Sequence, residues 1–280
     1  MPAPTTSSPS HRPAAPLGCA ILDPAQTTLF SAVDLRTTSL ADSRSAHPIV
    51  GPGLLSVELL QRIDFFRNFP QLALHPATYA APLRDRLAQG ADLSGTGAED
   101  LVPGDGLLPT ATCYGVLGSL SGTNLPLPAT WTAVGRCFRN EDSYQGLSRL
   151  RSFHMREIIA VGSQDTVEEF RSWAIEEVNR MAADFGLQLR FEPANDPFYL
   201  PSSRALLTAI DPVKFEFLAE DGTAIASINR HRNFFGDRLD IAVDGHPAHS
   251  VCLAFGLERW VHALSLRHGT IEAALRAVAA

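Results

Sequence analysis

The chain has 280 residues, 45% of them hydrophobic and 19% charged, with a formal net charge of −7. This length and balance fit a globular chain with a large core, and the negative charge argues against a broad nucleic-acid surface, which needs a basic field. Cys19, Cys113, Cys137 and Cys252 lack the spacing of a disulfide framework, which points to a reducing cytoplasm; there is no apolar run of ~18 residues and no secretory leader pattern at the N-terminus.

Residues 1–16 are rich in Pro, Ser and Ala and are read as a disordered tail, leaving 17–280 as a single domain. Residues 17–40 carry no clear pattern. Residues 54–67 place apolar side chains at helical spacing and are read as a helix, which Phe69-Pro70 ends. A short helix is expected at 82–89, with Pro82 in its first turn, and a Gly/Asp-rich loop at 90–106. The segment 107–114 reads as a strand end leading into a loop that exposes Cys113. Residues 166–185 form the clearest helix: Val167, Phe170, Ala174, Val178 and Met181 share one face, and Gly186 stands at the usual C-terminal position. Strands are expected at 187–192, 213–219, 224–229, 237–243 and 250–255, then helices at 257–267 and 271–279. Strands in succession with tight connections imply an α+β architecture, an antiparallel sheet with helices against it.

The segment from Gly135 to Glu157 has the densest chemistry. Strand-like runs at 134–138 and 150–159 enclose a polar turn at 140–148, which is a hairpin pattern. Arg136, Arg139, Arg149, Arg151 and Arg156 load it with guanidinium groups, which are suited to bidentate gripping of phosphate. A solvated hairpin with mixed charges is the plainer reading of a charge run by itself. The order Phe138-Arg139-x-Glu141, a loop, then Arg149-x-Arg151-x-Phe153 argues for the phosphate reading.

That order resembles motif 2 of the class II aminoacyl-tRNA synthetases. The resemblance implies that Arg139 grips the α-phosphate of ATP and the amino-acid carboxylate, that Glu141 reads the adenine amino group, and that Phe153 stacks on adenine. Ala248 to Trp260, a strand, Gly256 and a helix carrying Arg259, resembles motif 3 and implies that Arg259 holds the γ-phosphate. Motif 1, a long helix leading to a strand and a proline, has its candidate at 54–69. Arg149, Leu150 and Arg151 are assigned to the nucleotide, Ala226 and Ser227 to its backbone contacts, and Glu216 to Mg2+, all by resemblance. An exposed strand carboxylate is the plain alternative for Glu216, and an ordinary surface charge that for Arg149 or Arg151.

Cys113, Glu157 and Cys252 lie on three elements that meet at the active site of such enzymes. Two thiolates and one carboxylate leave one tetrahedral zinc position open, as in a working site. Cys137 is read as core and Cys19 stays unassigned. Cys-Glu-Cys ligation occurs in archaeal-type seryl-tRNA synthetases and in their shortened relatives, the amino acid:[carrier protein] ligases, which the chain resembles most. Segments carrying this are Ala111-Thr112-Cys113-Tyr114, Phe153-His154-Met155-Arg156-Glu157, Ala194 to Phe198, Ser227 to His231 and Phe235-Gly236. Ile225 stands where the family has Cys, and Arg230 where it has Tyr.

The resemblance implies a homodimeric, cytoplasmic enzyme. It would use ATP, Mg2+ and Zn2+ to activate glycine or alanine as the adenylate. The acyl group would pass to a phosphopantetheinylated carrier protein docked at 198–211. Charging of tRNA, disfavoured by the acidic chain, and a non-catalytic binding subunit stay open as alternatives.

Overall fold

The computed structural model describes residues 17–195, 198–200 and 212–279. The expected tail at 1–16 and most of the expected docking stretch at 198–211 lie outside the described residues. The largest sheet has strands β1 (His47–Pro48), β2 (Ala129–Phe138), β3 (Ser152–Gly162), β4 (Arg190–Ala194), β5 (Lys214–Leu218), β6 (Ala224–Arg232) and β7 (His249–Gly256). Their spatial order is β1-β2-β3-β7-β6-β5-β4, antiparallel except for the parallel pair β1–β2. The helices are α1 (Pro24–Ser43), α2 (Val57–Arg62), α3 (Phe65–Asn68), α4 (Ala81–Ala88), α5 (Cys113–Ser119), α6 (Gln164–Asp184), α7 (Phe234–Leu239), α8 (Leu257–His268) and α9 (Ile271–Ala279).

The sheet is covered on both faces, so its central strands are apolar on alternate residues in both directions. On β3, Ile158 and Ala160 join Phe170 and Val178 of α6 and Trp260 of α8 in one core. Ile159 and Val161, one residue out of step, join Leu60, Phe65, Leu117 and Phe235 in the second. Full burial of such side chains contributes ~1.5–3 kcal/mol each, so a slip of one residue would be strongly disfavoured. The site lies on the second face, where the covering helices α2, α3, α5 and α7 are short.

Several expectations hold and others are corrected. The helices at 164–184, 257–268 and 271–279 and the α+β sheet follow the sequence reading. The helix expected at 54–67 is broken: Leu55–Ser56 is extended, α2 ends at Arg62, and Asp64 takes a left-handed φ of 54° before α3. The turn lets Leu60, Ile63 and Phe65 all reach the second core, which one straight helix would not do. The strand expected at 237–243 is mostly α7, followed by a two-residue strand, Ala242–Val243. Gly236 makes that helix possible, because a Cβ there would come within 2.2 Å of the Ala248 carbonyl oxygen.

The featureless stretch at 17–40 holds most of α1, a helix of 20 residues that runs on to Ser43. Asp23 and Gln26 form a reciprocal capping box and Pro24 starts the first turn. Threonine and serine disguise the helix, yet Thr28, Thr38 and Ser39 return their hydroxyls to carbonyls one turn back. Leu29, Val33, Thr37 and Ala41 bury a narrow stripe. A long helix, a short strand and Pro48 follow one another here in the order expected of motif 1, an order that the broken segment 54–69 lacks.

Candidate active site

The β2–β3 hairpin carries Arg139 just past the last ladder pair, Phe138 and Ser152. Its Nε donates to the Thr110 carbonyl at 3.1 Å, and its guanidinium lies over the Phe153 ring, 5.2 Å from the centroid. Both line a cavity of about 440 Å3 on the open face of the sheet, within the range of small-molecule sites. Glu216 of β5 and Ala226 and Ser227 of β6 form the opposite wall. Glu216 and Ser227 share this face because they pair in register across two neighbouring strands, whereas the Ala226 side chain turns into the first core.

Arg259 enters from the first turn of α8. Its Nε donates to the Ser148 carbonyl at 2.8 Å and its Nη1 to the Ala224 carbonyl at 2.9 Å, tying the hairpin loop to β6. Burial, and next the nearby Arg139 charge, push this guanidinium below the ordinary arginine range, while Glu141 and Glu216 act the other way. Arginine stays charged at neutral pH regardless. A partly desolvated wall with two converging guanidinium groups favours a polyanion. Glu141 and Leu150 line a smaller adjoining recess together with Phe153 and Arg259. Glu258, 4% exposed, accepts from the His154 backbone N–H at 2.8 Å and pairs with His154 Nδ1 at 2.8 Å. It thereby locks α8 to β3 between Arg259 and Phe153, a link the sequence reading missed.

Two residues assigned to the nucleotide are engaged on the hairpin itself. Arg149 and Arg151 do not line the cavity. Arg149 is ion-paired with Glu141, and Arg151 donates from Nε to the Tyr144 hydroxyl at 2.8 Å and lies 5.0 Å over the Tyr144 ring. Lys214, not singled out from sequence, lines the cavity and sits 3.1 Å from Glu216.

On the same face, ligand atoms of Cys113, Glu157 and Cys252 lie within 4.8 Å of one another, all three residues being buried. Cys113 opens α5 and is 6% exposed, so it is not held out on a loop as expected. Glu157 sits mid-strand in β3, and its carboxylate accepts the backbone N–H of Thr112 at 2.9 Å and of Cys113 at 3.2 Å. The hydrogen bond from Cys252 favours the Cys113 thiolate, yet burial and the Glu157 carboxylate outweigh it and push the thiol up to about 11. Burial, followed by Cys113, pushes the Cys252 thiol up as well, and burial raises Glu157. Three buried acids crowded together call for a compensating charge. A divalent cation would supply it, and two sulfurs with one carboxylate suit zinc. Cys113 and Glu157 also line the cavity, so the donor set borders the space beside Arg139. Cys137 packs with Met155 and Ala254 as a core residue, and Cys19 is half-buried away from this cluster.

Residues 111–267 match the family model described as the tRNA synthetase class II core domain (G, H, P, S and T). Amino acid–[acyl-carrier-protein] ligase 2 of Bradyrhizobium diazoefficiens is 35% identical over 234 residues, covering 78% of this chain and 69% of that protein. Ligase 1 of the same organism is 31% identical over 262 residues, covering 88% and 80%. The type-2 serine–tRNA ligase of Methanocaldococcus jannaschii is 27% identical over 137 residues, only 45% of this chain and 26% of that protein. In fold, the chain is similar to the Methanopyrus kandleri seryl-tRNA synthetase solved with tRNASec, with a TM-score of 0.78 at 22% identity. The match covers 93% of this chain and 56% of that structure. The seryl-tRNA synthetase of Pyrococcus horikoshii solved with ATP gives a TM-score of 0.67 at 14% identity, covering 94% and 57%.

Proposed function

The chain belongs to the amino acid–[acyl-carrier-protein] ligases built on the class II tRNA synthetase core. From that premise we propose that it activates glycine or alanine with ATP and transfers the aminoacyl group to the phosphopantetheine thiol of a carrier protein. The observation that carries this reading is the one cavity lined by Arg139, Arg259 and Glu216 together with Cys113 and Glu157. An anion grip and an amine-recognising centre side by side suit an α-amino acid facing a triphosphate.

In the first step an oxygen of the amino-acid carboxylate attacks the α-phosphorus, and the bond to pyrophosphate breaks. Arg139 neutralises the charge that builds on the α-phosphate, while Arg259, fixed by two carbonyls, holds the departing phosphates. Phe153 supplies a flat apolar face for adenine and Glu141 an acceptor for its amino group. Glu216 would hold Mg2+. Cys113, Glu157 and Cys252 would hold zinc, which when bound supplies a Lewis-acid position for an uncharged amine. In the second step the carrier thiol, having lost its proton, attacks the acyl carbon and AMP leaves. The substrates supply both nucleophiles, so the protein's part is orientation and charge.

The acceptor is tested directly by incubating the protein, ATP and labelled glycine or alanine with either a holo-carrier protein or total tRNA. Label should appear on the holo-carrier, be released by hydroxylamine and be absent with the apo-carrier. Label on tRNA with none on any holo-carrier would overturn the assignment in favour of tRNA charging. The acidic chain supports the carrier, since tRNA affinity draws mainly on phosphate neutralisation.

A two-fold dimer is the expected assembly, and the apolar stripe of residues 54–67 would not form its contact. Most of that stripe lies inside the core, with Leu55, Leu60, Ile63 and Phe65 buried. The short edge strand β1 is flanked instead by exposed Val50, Leu54 and Val134, an apolar sheet margin that a second copy would cover. Light scattering should give twice the chain mass; a monomer mass at every concentration would refute this.

A further inference from the structure

Glu141 stands at the root of the hairpin loop, and Asp142, Ser143, Gln145 and Gly146 beyond it are exposed. Its own side-chain partner, Arg149, belongs to the same loop and is half-exposed, so it moves with the loop and cannot fix it. Recognition of a base edge needs the reading group held within about 0.5 Å. A loop residue tied to groups outside the loop must supply that rigidity.

Tyr144 does so. Its hydroxyl accepts Arg151 Nε at 2.8 Å and, more loosely, the Glu141 backbone N–H at 3.3 Å, and it reaches the Arg139 carbonyl at 3.5 Å. The Arg151 guanidinium covers one side of the ring at 5.0 Å from its centroid. Gly18, from the segment before α1, lies against the ring as well. A Cβ at Gly18 would come within 2.5 Å of Tyr144 Cγ, and its φ of +70° is one that glycine adopts without strain. That segment is itself anchored: the Gly18 carbonyl accepts the Arg151 N–H at 2.7 Å, and Cys19 bridges to Ser152 at the end of β3. One ring thus ties both flanks of Asn140 to a platform independent of the loop.

We propose that Tyr144, seated on Gly18 and gripped by Arg151, is a positioning residue that presents Glu141 to the nucleotide base and so governs adenine selectivity. This rests on Glu141 reading the adenine amino group, as set out above; guanine offers a carbonyl at that place, which a carboxylate repels. The test measures amino-acid-dependent pyrophosphate exchange with ATP and with GTP for the wild type, Tyr144→Phe, Gly18→Ala and Glu141→Ala. Tyr144→Phe keeps the ring and removes only the hydroxyl. It should raise KM for ATP about tenfold, as for loss of one part-buried polar contact, with a smaller change in kcat and a melting temperature lowered by only a few degrees. The ATP-over-GTP preference should fall with it, and Gly18→Ala should shift both in the same direction. Unchanged KM and preference in Tyr144→Phe and Gly18→Ala, with preference lost in Glu141→Ala, would overturn the proposal while sparing the reading of Glu141. Preference retained in Glu141→Ala would remove the reading and the proposal together.

Discussion

Arg139→Ala should lose amino-acid-dependent exchange of pyrophosphate into ATP by about 10²–10³-fold, the cost of removing one donor aimed at developing charge in a water-poor site. Arg139 lies where β2 runs out, inside the cavity, with a second guanidinium nearby on Arg259. Its structural ties are modest. The contact with the Phe153 face contributes ~0.5–1 kcal/mol and the hydrogen bond to the Thr110 carbonyl about 1 kcal/mol. At that size, loss of both lowers the melting temperature by only about 3–8 °C for a domain of this length. Activity and stability should therefore separate. Arg139→Lys, which keeps the charge without the planar fork, should fall between the two enzymes. Exchange at the wild-type rate by a folded Arg139→Ala protein would remove the hairpin from the chemistry.

The second large effect is on metal content. Protein purified without added metal should carry one zinc per chain, and the Cys113→Ser, Cys252→Ser double variant essentially none by elemental analysis. Serine oxygen is a poor substitute for thiolate sulfur at zinc, and Glu157 alone gives a single carboxylate. The surroundings should survive the change. Serine nearly matches cysteine in volume, and the Glu157 carboxylate keeps the backbone N–H groups of Thr112 and Cys113. Far-UV circular dichroism of the variant should thus resemble that of the wild type. Zinc retained undiminished in the double variant would sink the assignment of these ligands.

The sequence by itself determined the parts whose signal is local. A 3.6-residue repeat of apolar side chains with Gly186 behind it defined α6, because an amphipathic helix displays its own buried face. The order of Arg139, Glu141 and Phe153 around a turn defined the hairpin, since a two-strand ladder fixes which residues share a face. The strand, Gly256 and Arg259 marked the β7–α8 junction. Tertiary structure decided everything that depends on a partner distant in the chain. α1 was hidden because its buried stripe is one residue wide and its polar positions are satisfied by its own backbone. The region 54–67 bends at Asp64 because the core takes up Leu60, Ile63 and Phe65 together, a demand no helical repeat records. Five arginines looked alike on the hairpin. Their neighbours separated them: Arg139 faces the cavity, Arg149 pairs with Glu141, Arg151 grips Tyr144, Arg136 contacts His154, and Arg156 is buried against Asp34 of α1. A guanidinium acts on whatever anion or ring lies within a few ångströms, and only the folded chain sets that distance.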